Sequence, residues 1–112
     1  MTTGRTSLTG LAREQLTRAA TASSGRSAAP VHGGHDHVLR QTLIALTAGR
    51  RLEEHESPGE ATLQVLSGRV RLVAGGTAEE GSTGDLLVVP DAVHSLEALE
   101  DAVVLLTVAK LP

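Results

Sequence analysis

The two most informative stretches of this sequence are GRRLEEHESPGEATLQVLSG, residues 49–68, and GDLLVVPDAVH, residues 84–94. Both open on a glycine, run through aliphatic residues and contain one histidine, His55 in the first and His94 in the second. Glycine and proline divide them into short apolar segments, a pattern typical of strands joined by tight turns. We therefore expect both histidines to belong to a β-rich part of the molecule.

Short apolar runs continue on both sides of these stretches. The predicted strands are 38–47, 61–66, 69–74, 86–89, 93–99 and 102–109. Their spacing of roughly eight to twelve residues is typical of a β-sandwich or a small β-barrel. In the third run arginine and aliphatic residues alternate, as expected of a strand with one face in the core and one face in water.

The N-terminal part of the chain has a different pattern. Apolar residues recur at three- and four-residue spacing between residues 6 and 21, which predicts one amphipathic helix. Ser7 or Thr6 can cap its start, and Gly25, able to adopt a left-handed conformation, lies just beyond its end. A segment rich in Ser, Ala, Gly and Pro at 23–30 is expected to be a linker. The predicted organisation is a helix and linker over 1–30 and a barrel over 31–112, with the helix packed on that barrel or on a partner subunit.

The composition of the 112-residue chain excludes several classes of site. It contains no cysteine and no aromatic residue, which excludes disulfides, thiolate zinc sites, cysteine nucleophiles and base-stacking platforms. The net charge is −3 and the arginines are scattered, without the basic stripe that nucleic-acid binding requires. No apolar run approaches the roughly 20 residues of a membrane span, and the first residues lack the apolar stretch of a signal peptide. We therefore expect neither a nucleic acid nor a membrane as partner, and a cytoplasmic location.

The two histidine-containing stretches resemble the paired motifs of the cupin superfamily. Gly49, His55 and Gly68 match the first motif, in which a glycine, a His-x-His pair, a glutamate and a second glycine follow at set intervals. Gly84 and Pro90 match the second motif. The resemblance covers residues 38–109 and implies a mainly β fold, the cupin double-stranded β-helix or jelly-roll barrel, here preceded by one N-terminal α-helix. It also implies a homodimer, the common state of cupins of this size.

The resemblance further implies a divalent metal ion, such as Zn, Fe, Mn or Ni, bound by both histidines and the glutamate of the first motif and by the histidine of the second. This sequence departs from that set at three positions. Ser57 occupies the second histidine position, Ala61 occupies the glutamate position, and His94 comes one residue early. His55 and His94 remain as predicted metal ligands, the alternative for each being a polar residue of the barrel interior that is satisfied by hydrogen bonds. Two imidazoles alone bind such an ion weakly, so further ligands are needed.

A second group of histidines lies just before the first long predicted strand, in VHGGHDH at 31–37. His35 and His37 have the i, i+2 spacing that places two imidazoles on one side of a strand, and the adjoining glycines allow the backbone to fold inward. We interpret His35 and His37 as additional metal ligands that join His55 and His94 across the barrel mouth. The alternative is a solvated turn whose histidines bond only to backbone groups.

Four polar residues are candidates for binding a small-molecule ligand: Arg40, Gln41, Ser57 and Gln64. Arg40 and Gln41 lie in the first long predicted strand, where an arginine aimed into the barrel would hold a carboxylate through two hydrogen bonds. Ser57 occupies a ligand position of the first motif, and Gln64 lies in the next strand with a parity opposite to that of Ala61. The alternative for Arg40 is contact with solvent or an interface, since strand residues alternate sides.

Three functions are compatible with this pattern. The first is a cupin that binds a divalent metal and a small molecule in the barrel, with the reaction type open because one fold supports many reactions. The second is a metal-free ligand-binding or regulatory cupin, favoured by the departures at positions 57 and 61. The third is an interaction domain whose barrel is filled by Leu and Val. No Ser-His-Asp arrangement and no glycine-rich phosphate loop is recognisable.

Overall fold

A computed structural model of the protein describes residues 4–55 and 59–110. In chain order the elements are α1 (Leu8–Thr21), β1 (Arg26–His32), β2 (Leu39–Leu46), β3 (Arg51–His55), β4 (Glu60–Ser67), β5 (Arg69–Ala74), β6 (Thr77–Ser82), β7 (Leu86–Val89), β8 (His94–Ala98) and β9 (Ala102–Ala109). The architecture is mainly β with one N-terminal helix, as the sequence predicts. No helix in the described ranges is long and apolar enough to cross a membrane.

The strands form two antiparallel sheets. The larger sheet has the order β1-β2-β9-β4-β7 and the smaller sheet has the order β3-β8-β5-β6. Several neighbours within a sheet are distant in the chain, since β2 pairs with β9 and β3 pairs with β8. Long-range antiparallel pairing in two packed sheets is the jelly-roll arrangement, so the fold class expected from the sequence is confirmed.

Alternate residues of the strands face the space between the sheets and form the core. The largest of the almost fully buried side chains there are Leu46, Val65, Val70, Leu96 and Val104. Burial stabilises the fold by about 1.5–3 kcal/mol for each such side chain relative to leaving it exposed. A chain without aromatic residues therefore builds its barrel interior from Leu, Val, Ile and Ala, as its composition requires.

The helix packs on the outer face of the larger sheet. The side-chain oxygen of Ser7 caps it by accepting a hydrogen bond from the Gly10 N–H at 3.1 Å. Ala19, which is fully buried, lies at the contact with outward residues of β2 and β9. Those outward residues are Leu43, Ala45 and Val103. Ser27 Oγ of β1 also donates a hydrogen bond to Gln15 Oε1 of the helix, so the helix packs on the barrel of its own chain.

Three strands lie outside the predicted runs, namely β1, β3 and β6. Where the sequence predicts a linker at 23–30, strand β1 begins at Arg26 and pairs with β2. Its residues alternate between exposed and half-buried positions, because it is an edge strand that contacts the helix. Pro30 is tolerated because an edge strand has one side on which no backbone N–H is needed. Residues 26–30 are thus a strand and not a linker.

Both sheets share one end of the barrel, which we call the mouth. β7 ends at Val89 and β8 begins at His94, so a short segment joins the two sheets there. β4 begins beside the end of β7. The β1–β2 hairpin reaches the same end, because Leu39 of β2 and Glu60 of β4 both lie opposite Ala109 of β9.

One side of the barrel is closed without backbone pairing. In the described part of the chain β6 pairs only with β5, and β7 pairs only with β4. The sheets meet along these two edge strands by packing and without a backbone ladder, and we call the line between Thr77–Ser82 and Leu86–Val89 the seam. Gly81 packs there so closely on Leu87 that a Cβ at this glycine would lie 3.2 Å from its methyl groups.

Candidate functional site

His94 lies inside the barrel at the mouth. It begins β8, and it is only 6% exposed. It shares a face of β8 with Leu96 and Ala98, both of which belong to the core. Strand alternation explains this position, since residues two apart point to the same side. The predicted metal ligand at position 94 is therefore a buried, inward imidazole.

A hydrogen bond to the backbone sets the orientation and the tautomer of His94. Its Nδ1 lies 3.0 Å from the carbonyl oxygen of Ala92. A carbonyl oxygen can only accept, so Nδ1 donates, and the lone pair of the neutral ring is on Nε2. Metal-binding histidines commonly have this arrangement, because the donated N–H holds the ring and raises the basicity of the other nitrogen. His94 therefore has the form required of an Nε2 ligand.

His55 lies opposite His94 in the pairing of β3 with β8. The register shifts between Leu52 and His55, and Leu52 is opposite Leu96. An unbroken ladder would place His55 opposite Val93, so the irregularity aligns the backbone positions of the two histidines. The side chain of His55 lies outside the described part of the structure.

The other ligand positions implied by the resemblance are occupied differently. Ala61 points inward and is 7% exposed, so a methyl group takes the place of the glutamate. Ser57 lies outside the described residues. Within the described ranges, no group of three or more His, Cys, Asp or Glu residues is placed to hold a metal ion. His94 is the one imidazole of the predicted set that the described residues place inside the barrel, and metal binding by His55 and His94 stays a prediction.

The structure places His35 and His37 in the β1–β2 hairpin, where both are exposed. Nδ1 of His37 accepts a hydrogen bond from the Gly34 N–H at 3.1 Å, which leaves the proton of the neutral ring on Nε2. While that bond persists, His37 offers no lone pair to a metal. Its ring also packs edge to face on the ring of His32, with centroids 5.7 Å apart. Metal binding by His35 and His37 stays a prediction, and for His37 it requires the hairpin to rearrange.

Arg40 holds the same hairpin together. Its Nε donates to the carbonyl oxygen of His37 and its Nη2 donates to that of His35, both at 2.9 Å. Arg40 shares a face of β2 with the core residues Ile44 and Leu46. These contacts fix the guanidinium at the mouth end of the barrel. Its predicted role in binding a carboxylate stays a prediction.

Gln41 and Gln64 lie on the outer face of the larger sheet. Gln41 Nε2 donates to Thr107 Oγ1 at 3.2 Å, on the outward side of β2 and β9. Gln64 is exposed and alternates with the core residues of β4. Immediate strand neighbours of core residues face outward. The structure therefore does not bring either glutamine to His94.

A cavity of about 350 Å³ opens beside the mouth along the seam. Its walls are largely aliphatic and include Ala74, which lies opposite His94 in the pairing of β5 with β8. Glu79 of β6 adds a carboxylate to the wall. Glu79 was not among the predicted site residues, because TAEEGS lacks the aliphatic alternation of a half-buried strand. Glu79 lies two residues from both Thr77 and Gly81, and this spacing is the one local signal that the three residues share a face of β6.

No known protein-family model matches this chain, and no curated protein matches it. Several solved structures, in contrast, are similar to this chain. A conserved protein of unknown function from Streptococcus pyogenes is 26% identical with a TM-score of 0.71, over 81% of this chain and 79% of that one. An RmlC-like cupin from Desulfovibrio desulfuricans is 27% identical with a TM-score of 0.66, over 75% and 81% of the two chains.

A salicylate 1,2-dioxygenase from Pseudaminobacter salicylatoxidans is also similar, with a TM-score of 0.74 and 22% identity. It matches 89% of this chain but only 33% of its own length, so this likeness concerns the fold alone. The jelly-roll topology, the two glycine- and histidine-containing motifs and the likeness to the RmlC-like cupin agree with one another. The chain belongs to the cupin superfamily.

Proposed function

We propose that the protein is a small-molecule-binding cupin that holds a divalent metal ion at the mouth of its barrel. The observation that carries this proposal is His94, a buried and inward imidazole whose Nδ1 donates to the Ala92 carbonyl and whose Nε2 is the basic nitrogen. The pairing of β3 with β8 supports His55 as the second ligand. Imidazole donors suit Zn, Fe and Ni.

The chain's own residues bind and orient the small molecule in this proposal. A divalent ion held by His55 and His94 would supply Lewis-acid polarisation of a ligand oxygen. The seam cavity combines aliphatic residues such as Ala74 with polar groups, which favours a small ligand that carries both apolar and polar parts. Glu79 accepts a hydrogen bond from that ligand, and Arg40 at the mouth end binds a carboxylate if the ligand has one.

Metal binding to protein purified without a His-tag tests the proposal. Calorimetric titration with Zn²⁺ is expected to show one saturable ion per chain for the wild type. His94→Ala and His55→Ala are each expected to weaken that binding by more than about tenfold, since even changes around metal ligands cost 10–100-fold in affinity. Circular dichroism melting curves of the same samples show whether each variant folds.

Gln64→Ala is the control, because it removes an exposed polar side chain from the outer face of the larger sheet and leaves the mouth intact. An equal loss of Zn²⁺ affinity in this control contradicts the assignment to His94 and His55, as does a folded wild type without saturable binding. A variant with both His35 and His37 replaced by Ala tests whether these two residues take part in metal binding, as predicted. Undiminished Zn²⁺ binding in that variant contradicts it.

A metal-free ligand-binding or regulatory cupin is the second candidate. Ala61 favours it, because its buried methyl group lies where the resemblance implies a carboxylate ligand. A small molecule would then bind in the cavity beside Glu79 without an ion. A folded wild type that binds no Zn²⁺ supports this second candidate over the first.

A further inference from the structure

We propose a second site at the end of the barrel opposite the mouth, an arginine-lined cleft that binds the phosphate group of a small molecule. The cleft has a volume of about 460 Å³ and lies between the α1–β1 turn, the β2–β3 turn and the start of β3. Its lining residues are Ser24, Arg26, Gly49, Arg50, Arg51 and Glu53. We call it the arginine cleft.

The strand register places the arginine cleft far from His94. Arg26 of β1 lies opposite Leu46 of β2, which in turn lies opposite Ala102 at the beginning of β9. The mouth is at the other end of β9, where Ala109 lies. The two sites share no residue, so this proposal does not depend on a metal ion at the mouth.

The side chain of Arg50 is held against the α1–β1 turn. Gly25 has φ of +67°, and a Cβ at this position would lie 2.5 Å from Arg50 Cγ and 2.6 Å from its Nε. Thr47 stabilises the same turn, because its N–H and its hydroxyl both donate to the Gly25 carbonyl oxygen, at 2.9 and 3.2 Å. The stem of Arg50 therefore lies against the turn, and its exposed guanidinium is part of the lining of the cleft.

Two of the three arginines in the cleft, Arg26 and Arg50, have no ion-pair partner among the described residues. Arg51 is paired with Glu53 at 3.3 Å, with both side chains more than half exposed. Asp101 in the adjoining turn accepts a backbone N–H at 2.8 Å. The cleft thus gathers three positive charges and one negative charge on a protein with a net charge of −3.

A phosphate group matches this set of donors. Guanidinium groups bind phosphate oxygens through pairs of parallel N–H bonds, and a phosphate monoester carries up to two negative charges. The cleft is larger than one phosphate group requires and falls within the roughly 300–1,000 Å³ typical of small-molecule pockets. The size of the cleft therefore favours a phosphorylated small molecule over free phosphate as the ligand.

Calorimetric titration with inorganic phosphate and with ribose 5-phosphate at constant ionic strength tests the proposal. Saturable 1:1 binding is expected, tighter for the ester. Arg26→Gln and Arg50→Lys are each expected to raise the Kd about tenfold, the loss typical of one charge-assisted contact. Arg50→Lys retains the charge and the aliphatic stem over Gly25 but lacks the planar fork.

Arg13→Gln is the matched control, since Arg13 is also exposed, has no ion pair in the described part of the chain and lies on the helix outside the cleft. Its Kd is expected to equal that of the wild type. Equal weakening in all three variants, or heats that never saturate, would overturn the site. Binding of free phosphate as tight as that of the ester would overturn the assignment to a phosphorylated molecule. Melting curves confirm that every variant is folded.

Discussion

Gly68 explains why a glycine ends the first cupin motif in this chain. It occupies the turn between β4 and β5 with φ of +84°, and its backbone N–H donates to Thr83 Oγ1 at 3.1 Å. A Cβ at this position would lie 2.2 Å from the Asp101 carbonyl oxygen and 2.8 Å from the Ala102 Cα. Both are backbone atoms, one in the β8–β9 turn and one at the start of β9, and they cannot rotate away. The motif glycine is therefore where two turns of the barrel touch.

Gly68→Ala is expected to lower the free energy of unfolding by about 3 kcal/mol or more, because left-handed strain alone costs 1–3 kcal/mol and the backbone clash adds to it. Urea unfolding followed by circular dichroism measures the change. Gly76→Ala is the control, since nothing lies within 4 Å of a Cβ there and its φ is not in the left-handed region. A similar loss in both variants would contradict the steric explanation.

The sequence predicted the individual residues of the mouth better than their contacts. The placement of His94 inside the barrel follows from its position two residues before a core leucine, so alternation alone suffices. The bond to the Ala92 carbonyl and the register shift after Leu52 depend on backbone geometry that no residue pattern encodes. The same is true of Arg40, whose bonds to two hairpin carbonyls exist only once the hairpin forms.

At the level of elements, hydrophobic alternation determined which strands were predictable. The predicted runs at 69–74, 86–89 and 102–109 coincide with β5, β7 and β9, because each contains consecutive or alternating aliphatic residues that enter the core. β1, β3 and β6 were missed because they are edge strands of the two sheets or contain mostly polar residues. Their pairing is imposed by neighbouring strands and by the helix, which a local pattern does not show.

The packing of the helix on the larger sheet can be tested at Ala19, which is fully buried at the centre of that contact. Ala19→Leu is expected to destabilise the protein by about 1–3 kcal/mol, since overpacking forces the helix away from β2 and β9. Ala20→Leu is the control, as its side chain is exposed on the same helix. Thermal unfolding curves compare the two, and equal melting temperatures would contradict the packing described for Ala19.

On the scale of the whole molecule, the outer face of the larger sheet is only partly covered. The helix covers outward residues of β2 and β9, whereas β7 at the other edge is left uncovered. Leu86 and Val88 point outward from β7 and are 61% and 74% exposed. An edge strand with exposed aliphatic residues favours pairing with another chain. We therefore expect this edge to form the interface of the predicted homodimer.

Val88→Lys is expected to convert the predicted homodimer to a monomer, because a charged side chain would have to lose its hydration at the interface. Light scattering coupled to size-exclusion chromatography measures the mass at matched concentrations. Val93→Lys, which alters an exposed valine outside β7, is expected to remain dimeric. A monomeric wild type would contradict the dimer, and a dimeric Val88→Lys would place its interface elsewhere.

Thermal fluctuations are expected to open the barrel more readily along the seam than within its strand ladders. Parting the sheets there breaks no ladder of backbone hydrogen bonds between β6 and β7 and moves only packed groups, such as the Gly81 backbone and the Leu87 side chain, past one another. Segments held in this way open at lower free energy than segments inside a ladder. Since the cavity beside Glu79 lies along the seam, we expect brief lateral openings, rather than a permanent channel, to govern how fast solvent and small molecules exchange with the interior.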